Sequence, residues 1–383
     1  MRPLHVGLNL VYLEPDSGGS GTYARELVRA LHAVEPGTRV TAWIARGAPA
    51  GIEQSDLGGP VGWVRLPVKS TGSPVHVPVE LLGLGLDARR RGVDLVHGLA
   101  YATPVVAPGV ATLVTILDLT WRHHPESVSW LARRMFGLLA PLCGRTADRV
   151  IAISETVRDD LVATLGIDAA KIEVTPLGVS GRPPPAPAPP AEMRARLGIP
   201  GGVPMVLSVA QLAAHKNLTA LVEALPRLAD ERAVVVIPGR HTAYRDELAA
   251  RAQALGVAGR LVLPGFVSED DLEGLYAAAD AFVLPSLLEG FGLPILEAMR
   301  RGVPVACSQV SSLPEVAGGA ALLFDPRRPD AVAAAVDRLL GDERLRAGLA
   351  ERGRRRAAEL TWEATARATL RAYRRALAAR VVA

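Results

Sequence analysis

The sequence predicts an α/β protein of two doubly wound lobes, and three observations carry that prediction. Short apolar runs recur along the chain and are continuous rather than alternating, the pattern of strands in parallel sheets buried on both faces. Loops and helix-length segments separate them, in the order strand, loop, helix. The series breaks at a proline-rich stretch in mid-chain and then begins again, and 383 residues exceed the size at which a single core keeps growing.

The first lobe opens on Val6-Gly7-Leu8-Asn9-Leu10, a buried strand, followed by the polar glycine-rich loop Gly18–Tyr23 and a helical pattern from Tyr23 to Leu31. Further strands are expected at 94–97, 111–116 and 149–153. Arg182–Pro190 then carries too many prolines for a helix interior or a sheet ladder, which marks it as a stiff boundary segment. Beyond it, strands are expected at 205–209, 233–237, 261–263, 281–284 and 303–306. The domains are therefore drawn at 1–180 and 181–360, with an Arg-rich helical stretch from about Thr361 to the end. Ligands of such folds bind outside the carboxyl ends of the strands, so two facing lobes would place a cleft between them.

Composition narrows the function classes. No run approaches the ~18 to 20 apolar residues of a membrane span, and Met1-Arg2 leads straight into a strand, so a cytoplasmic protein is expected. Cys143 and Cys307 are far apart in apolar surroundings, which suits two reduced, buried thiols rather than a disulfide or metal framework. The net charge of +4 is modest, but only Lys69, Lys171 and Lys216 are lysines among 43 basic residues. Where arginine is the default cation, a lysine such as Lys216 suggests a crowded anion pocket that a planar guanidinium would not enter. The segment Trp130–Leu139, with Arg133 and Arg134, reads chiefly as a core-facing helix; its other reading is a weak peripheral contact with an anionic membrane. Arg352–Arg356 reads as a solvated helix face, and no nucleic-acid partner is expected.

The most informative stretch is Glu289-Gly290-Phe291-Gly292-Leu293-Pro294-Ile295-Leu296-Glu297. It runs from a strand through a glycine-broken loop into a helix whose early Pro294 would lose no hydrogen bond. Amides at that helix start attract phosphate, and glycine lets backbone approach a ligand. Glu289 is expected on the loop. Glu297, expected in the first helical turn, could accept paired hydrogen bonds from a diol. The plainer alternative is a solvated Glu289 and a Glu297 that only offsets the helix dipole.

This stretch resembles the E-x7-E signature of the family four retaining glycosyltransferases (glycosyltransferase group 1), together with Gly265-Phe266-Val267-Ser268 before it and Ser312-Leu313-Pro314-Glu315-Val316 after it. The resemblance extends over nearly the whole chain and implies the GT-B fold, two Rossmann-like domains facing each other across a cleft, with the C-terminal helix crossing back onto the first. It implies that Glu289 and the amides of Gly290, Phe291 and Gly292 meet a donor sugar. By the same resemblance Leu293 faces phosphate, Glu297 holds the ribose, and Phe266 and Val267 lie near the base.

Gly18–Tyr23, and Gly19 within it, resembles the family's N-terminal glycine loop, and is not the G-x-G-x-x-G of nicotinamide-binding chains. Gln211-Leu212-Ala213-Ala214-His215-Lys216-Asn217 resembles the segment that offers a basic pair to the diphosphate. Lys216 matches it, Gln211 stands where arginine is common, and His215, a half-exposed loop residue in the plain reading, or Arg240 would supply the missing charge. Thr115–Thr120 resembles the catalytic strand end, with Asp118 in place and Leu117 where histidine usually precedes it. His123, His124, Ser154 and Glu155 match neighbouring family segments without a fixed role. The implied reaction transfers a hexosyl group from GDP-mannose or a UDP-sugar to a glycan, lipid-linked or natural-product acceptor. Glu289, Lys216 and Asp118 are the catalytic candidates. Nothing beyond the nucleotide-sugar co-substrate is implied as a cofactor, and no D-x-D occurs, so no metal is invoked. A sugar phosphorylase of the same fold and a non-catalytic sugar-nucleotide binder remain alternatives.

Overall fold

The computed structural model describes residues 3–14, 17–54, 57–69, 76–179 and 188–382, with no side-chain placement past 380. It divides into two compact units, residues 1–178 with 361–383 and residues 179–360. Most of the proline-rich segment Arg182–Pro190 lies outside the described residues.

The first unit carries β1 (His5–Leu10), β2 (Arg39–Ile44), β3 (Val61–Arg65), β4 (Leu95–Gly98), β5 (Ala111–Ile116), β6 (Arg149–Ala152) and β7 (Ile172–Val174). They form one sheet in the order β3-β2-β1-β4-β5-β6-β7, every pair parallel. The second unit carries β8 (Met205–Leu207), β9 (Val234–Val236), β10 (Leu261–Val262), β11 (Ala281–Leu284), β12 (Val305–Ser308) and β13 (Ala321–Phe324), ordered β10-β9-β8-β11-β12-β13. These too are all parallel. Numbered within its unit, the second sheet runs 3-2-1-4-5-6 and the first runs the same way with a seventh strand added, so the direction of winding reverses between β1 and β4 and again between β8 and β11. The carboxyl ends of those strand pairs are the topological switch points at which doubly wound sheets bind ligands.

The continuous apolar runs read from the sequence are the central strands: β1, β4, β5, β8 and β11 are buried along their length. In the second unit Val206, Val235, Val283 and Ala306 pack with Leu221, Leu225, Val332 and Val336 from flanking helices. Four strands, β2, β3, β7 and β13, were not among the runs identified in the sequence. Three of these are sheet edges, where solvent on one side breaks the apolar run, as in the half-exposed β3.

The glycine-rich stretch after β1 is corrected by the structure. Gly18 begins a helix that runs to Val34, so Gly18–Tyr23 forms its first turns rather than a loop. The helix Trp362–Val382 belongs to the first unit: Thr365 Oγ1 donates to Pro176 O at 2.7 Å, and Tyr373 Oη lies 2.9 Å from His97 Nδ1. His97 also meets Thr115 Oγ1 at 2.8 Å, and burial lowers its imidazole to about 3, so it sits neutral in the core. A Cβ on Gly178 would lie 2.1 Å from Thr361 C, so glycine is what lets the two backbones meet where the chain returns. No helix among the described residues is long and apolar enough to cross a membrane.

Candidate functional site

The site is built on the switch point of the second unit, from the loops after β8 and β11. A single turn, Ala214–Lys216, ends at Asn217, whose φ of 52° places it in the left-handed region. Asparagine tolerates that region because its short amide bonds nearby backbone. Here Asn217 Nδ2 donates to Pro285 O at 3.1 Å and Pro326 O at 2.7 Å, and Leu287 N donates to His215 O at 2.8 Å. The two loops are thus stitched together, and His215, read as half-exposed, is buried.

That stitching brings Lys216 onto Glu289. Lys216 Nζ donates to both carboxylate oxygens at 2.9 Å, and the side chains are only 15% and 10% exposed. Ser286 Oγ donates to Glu289 Oε1 at 2.7 Å. The Glu289 backbone is held as well: its N–H donates to Ser311 Oγ at 3.2 Å, and its carbonyl accepts from Ser311 Oγ at 2.7 Å and Ser312 Oγ at 2.9 Å. Ser312 Oγ also reaches Phe291 O at 2.9 Å. The Glu289 carboxylate and the backbone behind it are therefore both held by protein partners.

Gly292 follows at φ +102°, and a Cβ there would stand 2.5 Å from Leu313 Cδ2. Only glycine fits, and from it the helix Leu293–Arg300 starts with Pro294 near its N-terminus. Gly290, Phe291 and Gly292 are all buried. Glu297 is not in the first turn as expected: it is the fifth helical residue, beyond the strongest reach of the helix dipole. Tyr276 Oη donates to Glu297 Oε2 at 2.9 Å. Arg301 lies over the Tyr276 ring, 4.5 Å from its centroid, and is ion-paired with Glu273. Burial raises the Glu297 carboxyl above its usual range, opposed by Arg301 and the Tyr276 bond.

The neighbouring loops hold the other candidates of this unit. Gly239 N donates to Gly265 O at 2.9 Å, joining the loops after β9 and β10, and Arg240 Cζ sits 4.4 Å from the Phe266 ring centroid. Phe266 is 67% exposed, so this pair is an open aromatic and cationic platform; Val267 beside it is partly buried. Gln211 is exposed at the start of its loop, and no hydrogen bond joins it to Lys216 or Glu289.

In the first unit Gly19 is exposed in the opening turn of its helix. Asp118 follows β5, where Oδ1 accepts from Thr120 N at 2.9 Å and from Tyr101 Oη at 3.0 Å. Tyr101 has a φ of 62° and packs on Phe136 with ring centroids 4.7 Å apart. Leu117 is partly buried. His123 pairs with Asp160 and His124 with Glu126 at the surface. Cys143 and Cys307 are buried free thiols that burial raises to about 11 and about 12, too high for nucleophiles. Among the described residues no group of three or more His, Cys, Asp or Glu could hold a metal ion. The sequence reading gave Asn217 no role of its own and missed Tyr276, Ser286 and Ser311; their work lies in bonds that only the fold brings together.

Comparison with known proteins follows this division of the chain. Residues 17–180 match the model described as Glycosyltransferase Family 4, and residues 190–356 match that for Glycosyl transferases group 1. The O-antigen chain mannosyltransferase B of Escherichia coli is 34% identical over 60% of this chain, and the match spans 61% of that protein's own length. The D-inositol 3-phosphate glycosyltransferase of Xylanimonas cellulosilytica is 30% identical over 94% of this chain and 92% of its own. Among solved structures, Anabaena Alr3699/HepE in complex with UDP and glucose superposes with a TM-score of 0.76 at 18% identity, over 96% of this chain and 98% of that one. The structural likeness speaks for the fold, two Rossmann-like units as in GT-B enzymes, and the sequence matches reach further. By both halves, the chain belongs to the group 1, family 4 glycosyltransferases.

Proposed function

We propose that the chain transfers a hexosyl group from a nucleoside-diphosphate sugar, GDP-mannose or a UDP-sugar, to a hydroxyl of a glycan, lipid-linked or natural-product acceptor, with retention at the anomeric carbon. One observation carries this reading: a braced lysine and a braced carboxylate, Lys216 and Glu289, meet at 2.9 Å at a topological switch point, on the loop that leads into the Leu293–Arg300 helix. Mannosyl transfer in the name of the Escherichia coli relative supports the first donor, and UDP with glucose in the Anabaena structure supports the second.

In this reaction the anomeric C–O bond to the diphosphate breaks and its electron pair stays on the phosphate oxygen. The acceptor oxygen bonds to the same face of the anomeric carbon, and its proton passes to the departing phosphate. Negative charge grows on the leaving group, so a fixed ammonium and helix-start amides stabilise the transition state more than the ground state. Lys216 and the amide of Leu293 take that part. Glu289 and the backbone of Gly290, Phe291 and Gly292 orient the sugar hydroxyls. Glu297 accepts from the ribose diol. Arg240, with Phe266 and Val267, meets the nucleoside and its phosphates. Gly19 and Asp118 serve from the first unit, Asp118 through Oδ2 because both its protein bonds fall on Oδ1.

The test is nucleoside-diphosphate release by the purified chain, with donors chosen by thermal shift and a broad acceptor panel, and the product anomer read by NMR. Release matched by an α-linked product from an α-linked donor supports the proposal. Binding with no release on any acceptor leaves a sugar-nucleotide-binding protein, and sugar release that requires inorganic phosphate instead makes it a phosphorylase.

A further inference from the structure

The helix Trp130–Thr146 departs from its core-facing reading. Trp130 is 68% exposed, Leu131 42% and Leu138 59%, and positions 130, 134 and 138 fall on successive turns of one face. Arg133 and Arg134 are exposed on the same side. The guanidinium of Arg134 lies over the Trp130 ring, 5.1 Å from its centroid. From its first to its last residue this helix contains no Asp or Glu. Arg122, on the short helix Thr120–His123, is exposed too, and none of these three arginines is ion-paired among the described residues.

The two helices bound an open wedge of about 510 Å³ lined by Trp121, Arg122, Trp130, Arg133, Arg134 and Leu138. Trp121 is only 7% exposed, and its indole N–H has no hydrogen-bond partner. We propose that this face docks on an anionic lipid bilayer, with Trp130, Leu131 and Leu138 in the interface and lipid phosphates in the wedge beside the three arginines. Exposed apolar side chains interleaved with cations are the composition of interfacial helices, and an anionic leaflet attracts each added arginine. A second copy of the chain would bring the same uncompensated cations to the contact and repel. Glu126, at the edge of this region, is already engaged by His124.

The surface belongs to the first unit and its test needs no nucleotide, so it stands or falls separately from the donor reading. Full-length chain would be sedimented with vesicles of phosphatidylcholine alone or mixed with phosphatidylglycerol. The expected result is binding to the mixed vesicles, weakened by salt, and at least roughly tenfold loss in both Arg133→Glu/Arg134→Glu and Trp130→Ser/Leu138→Ser. Both variants alter exposed positions and should melt as the parent does. Their thermal shift with nucleoside diphosphate should also be unchanged. Equal binding to the two vesicle types, or variants that bind as the parent does, would overturn the proposal. So would full competition by free glycerol phosphate, which would make the wedge a small-anion site. A parent dimer that Trp130→Ser/Leu138→Ser converts to monomer would give the face to a second copy, with the same consequence.

Discussion

Replacing Lys216 by Met tests the site most directly, because the same side chain has a structural and a chemical consequence. Two unit charges 2.9 Å apart attract by about 6 kcal/mol at an effective dielectric constant of about 20. Desolvation of two nearly buried ions cancels much of that. Removing one partner alone, however, leaves the Glu289 carboxylate with little besides the Ser286 hydroxyl, and the cost should be about 3 kcal/mol, the low end for a buried pair because 10 to 15% of each side chain still meets water. For a unit of this size that is a fall of ~6 to 12 °C in melting temperature. The double variant Lys216→Met/Glu289→Gln should recover part of it, with a coupling of about 1 to 3 kcal/mol. Below the lowered melting point, nucleoside-diphosphate release should fall by roughly 10² to 10³, the usual loss when one preorganised stabiliser of developing charge is removed. Lys216→Arg separates the two effects: its fork can pair with Glu289 and keep the melting temperature, while its breadth obstructs the diphosphate and turnover drops at least about tenfold. Turnover of Lys216→Met within a few-fold of the parent, in a protein that melts as the parent does, would refute both halves of the reasoning.

Three further outcomes are expected. Tyr276→Phe removes the hydroxyl that holds Glu297 Oε2, a bond to a charged group worth about 1.5 to 3 kcal/mol; steady-state kinetics should show donor KM raised roughly tenfold or more with kcat nearly unchanged, since ribose binding is felt equally in ground and transition states. Gly292→Ala forces a Cβ against Leu313 at a φ of +102° and should destabilise by ~2 to 3 kcal/mol in chemical denaturation, whereas Gly19→Ala, with nothing within 4 Å, should not. Burial raises the Glu80 carboxyl from 4.5 to about 7, against a hydrogen bond from Asn9 that lowers it. The folded state therefore holds this proton more tightly, and the contribution is complete below about 4.5 and lost as pH rises to about 7. Glu80→Gln should accordingly gain about 3 kcal/mol relative to the parent between pH 4.5 and pH 8, measured by denaturant melts at each pH.

The sheets were legible where strands are buried on both faces. β1, β5 and β11 announce themselves because no solvent face interrupts their apolar runs. β3, β7 and β13 lie at sheet edges, and there the pattern dissolves into single exposed and buried residues. Glycine misled in one place and informed in another. At Gly18–Tyr23 glycines suggested a loop, yet only Gly18 takes a positive φ and the helix starts there. At Gly292 the residue type follows from a real left-handed backbone against a neighbouring side chain. The Trp130 helix shows a different limit: an aromatic and apolar stripe is the same whether it faces a core or solvent, and only the fold shows that it is exposed.

Within the site, the sequence could name the two glutamates but not divide their work. Eight positions apart on a strand-to-helix turn, they look equivalent. The fold makes them chemically distinct, because Glu289 meets a lysine across two loops and a serine three residues back, whereas Glu297 meets a tyrosine hydroxyl from the preceding helix and lies near Arg301. Neither set of partners is near in sequence: Lys216 is 73 positions from Glu289, and Tyr276 is 21 from Glu297. Glu289 is thus ion-paired with Lys216 in near-buried surroundings. Glu297 is braced by a neutral donor while burial pulls its carboxyl toward protonation. A carboxylate pinned beside the cation that would meet the leaving group suits the orienting of sugar hydroxyls next to it. One held by a tyrosine, with its other oxygen left to accept, suits a hydroxyl pair whose charge never changes. On the proposed reaction the same sequence motif would supply a sugar-orienting end and a ribose-holding end, and the loops around it, through Asn217 and Ser286 on one side and Tyr276 on the other, make the two ends different.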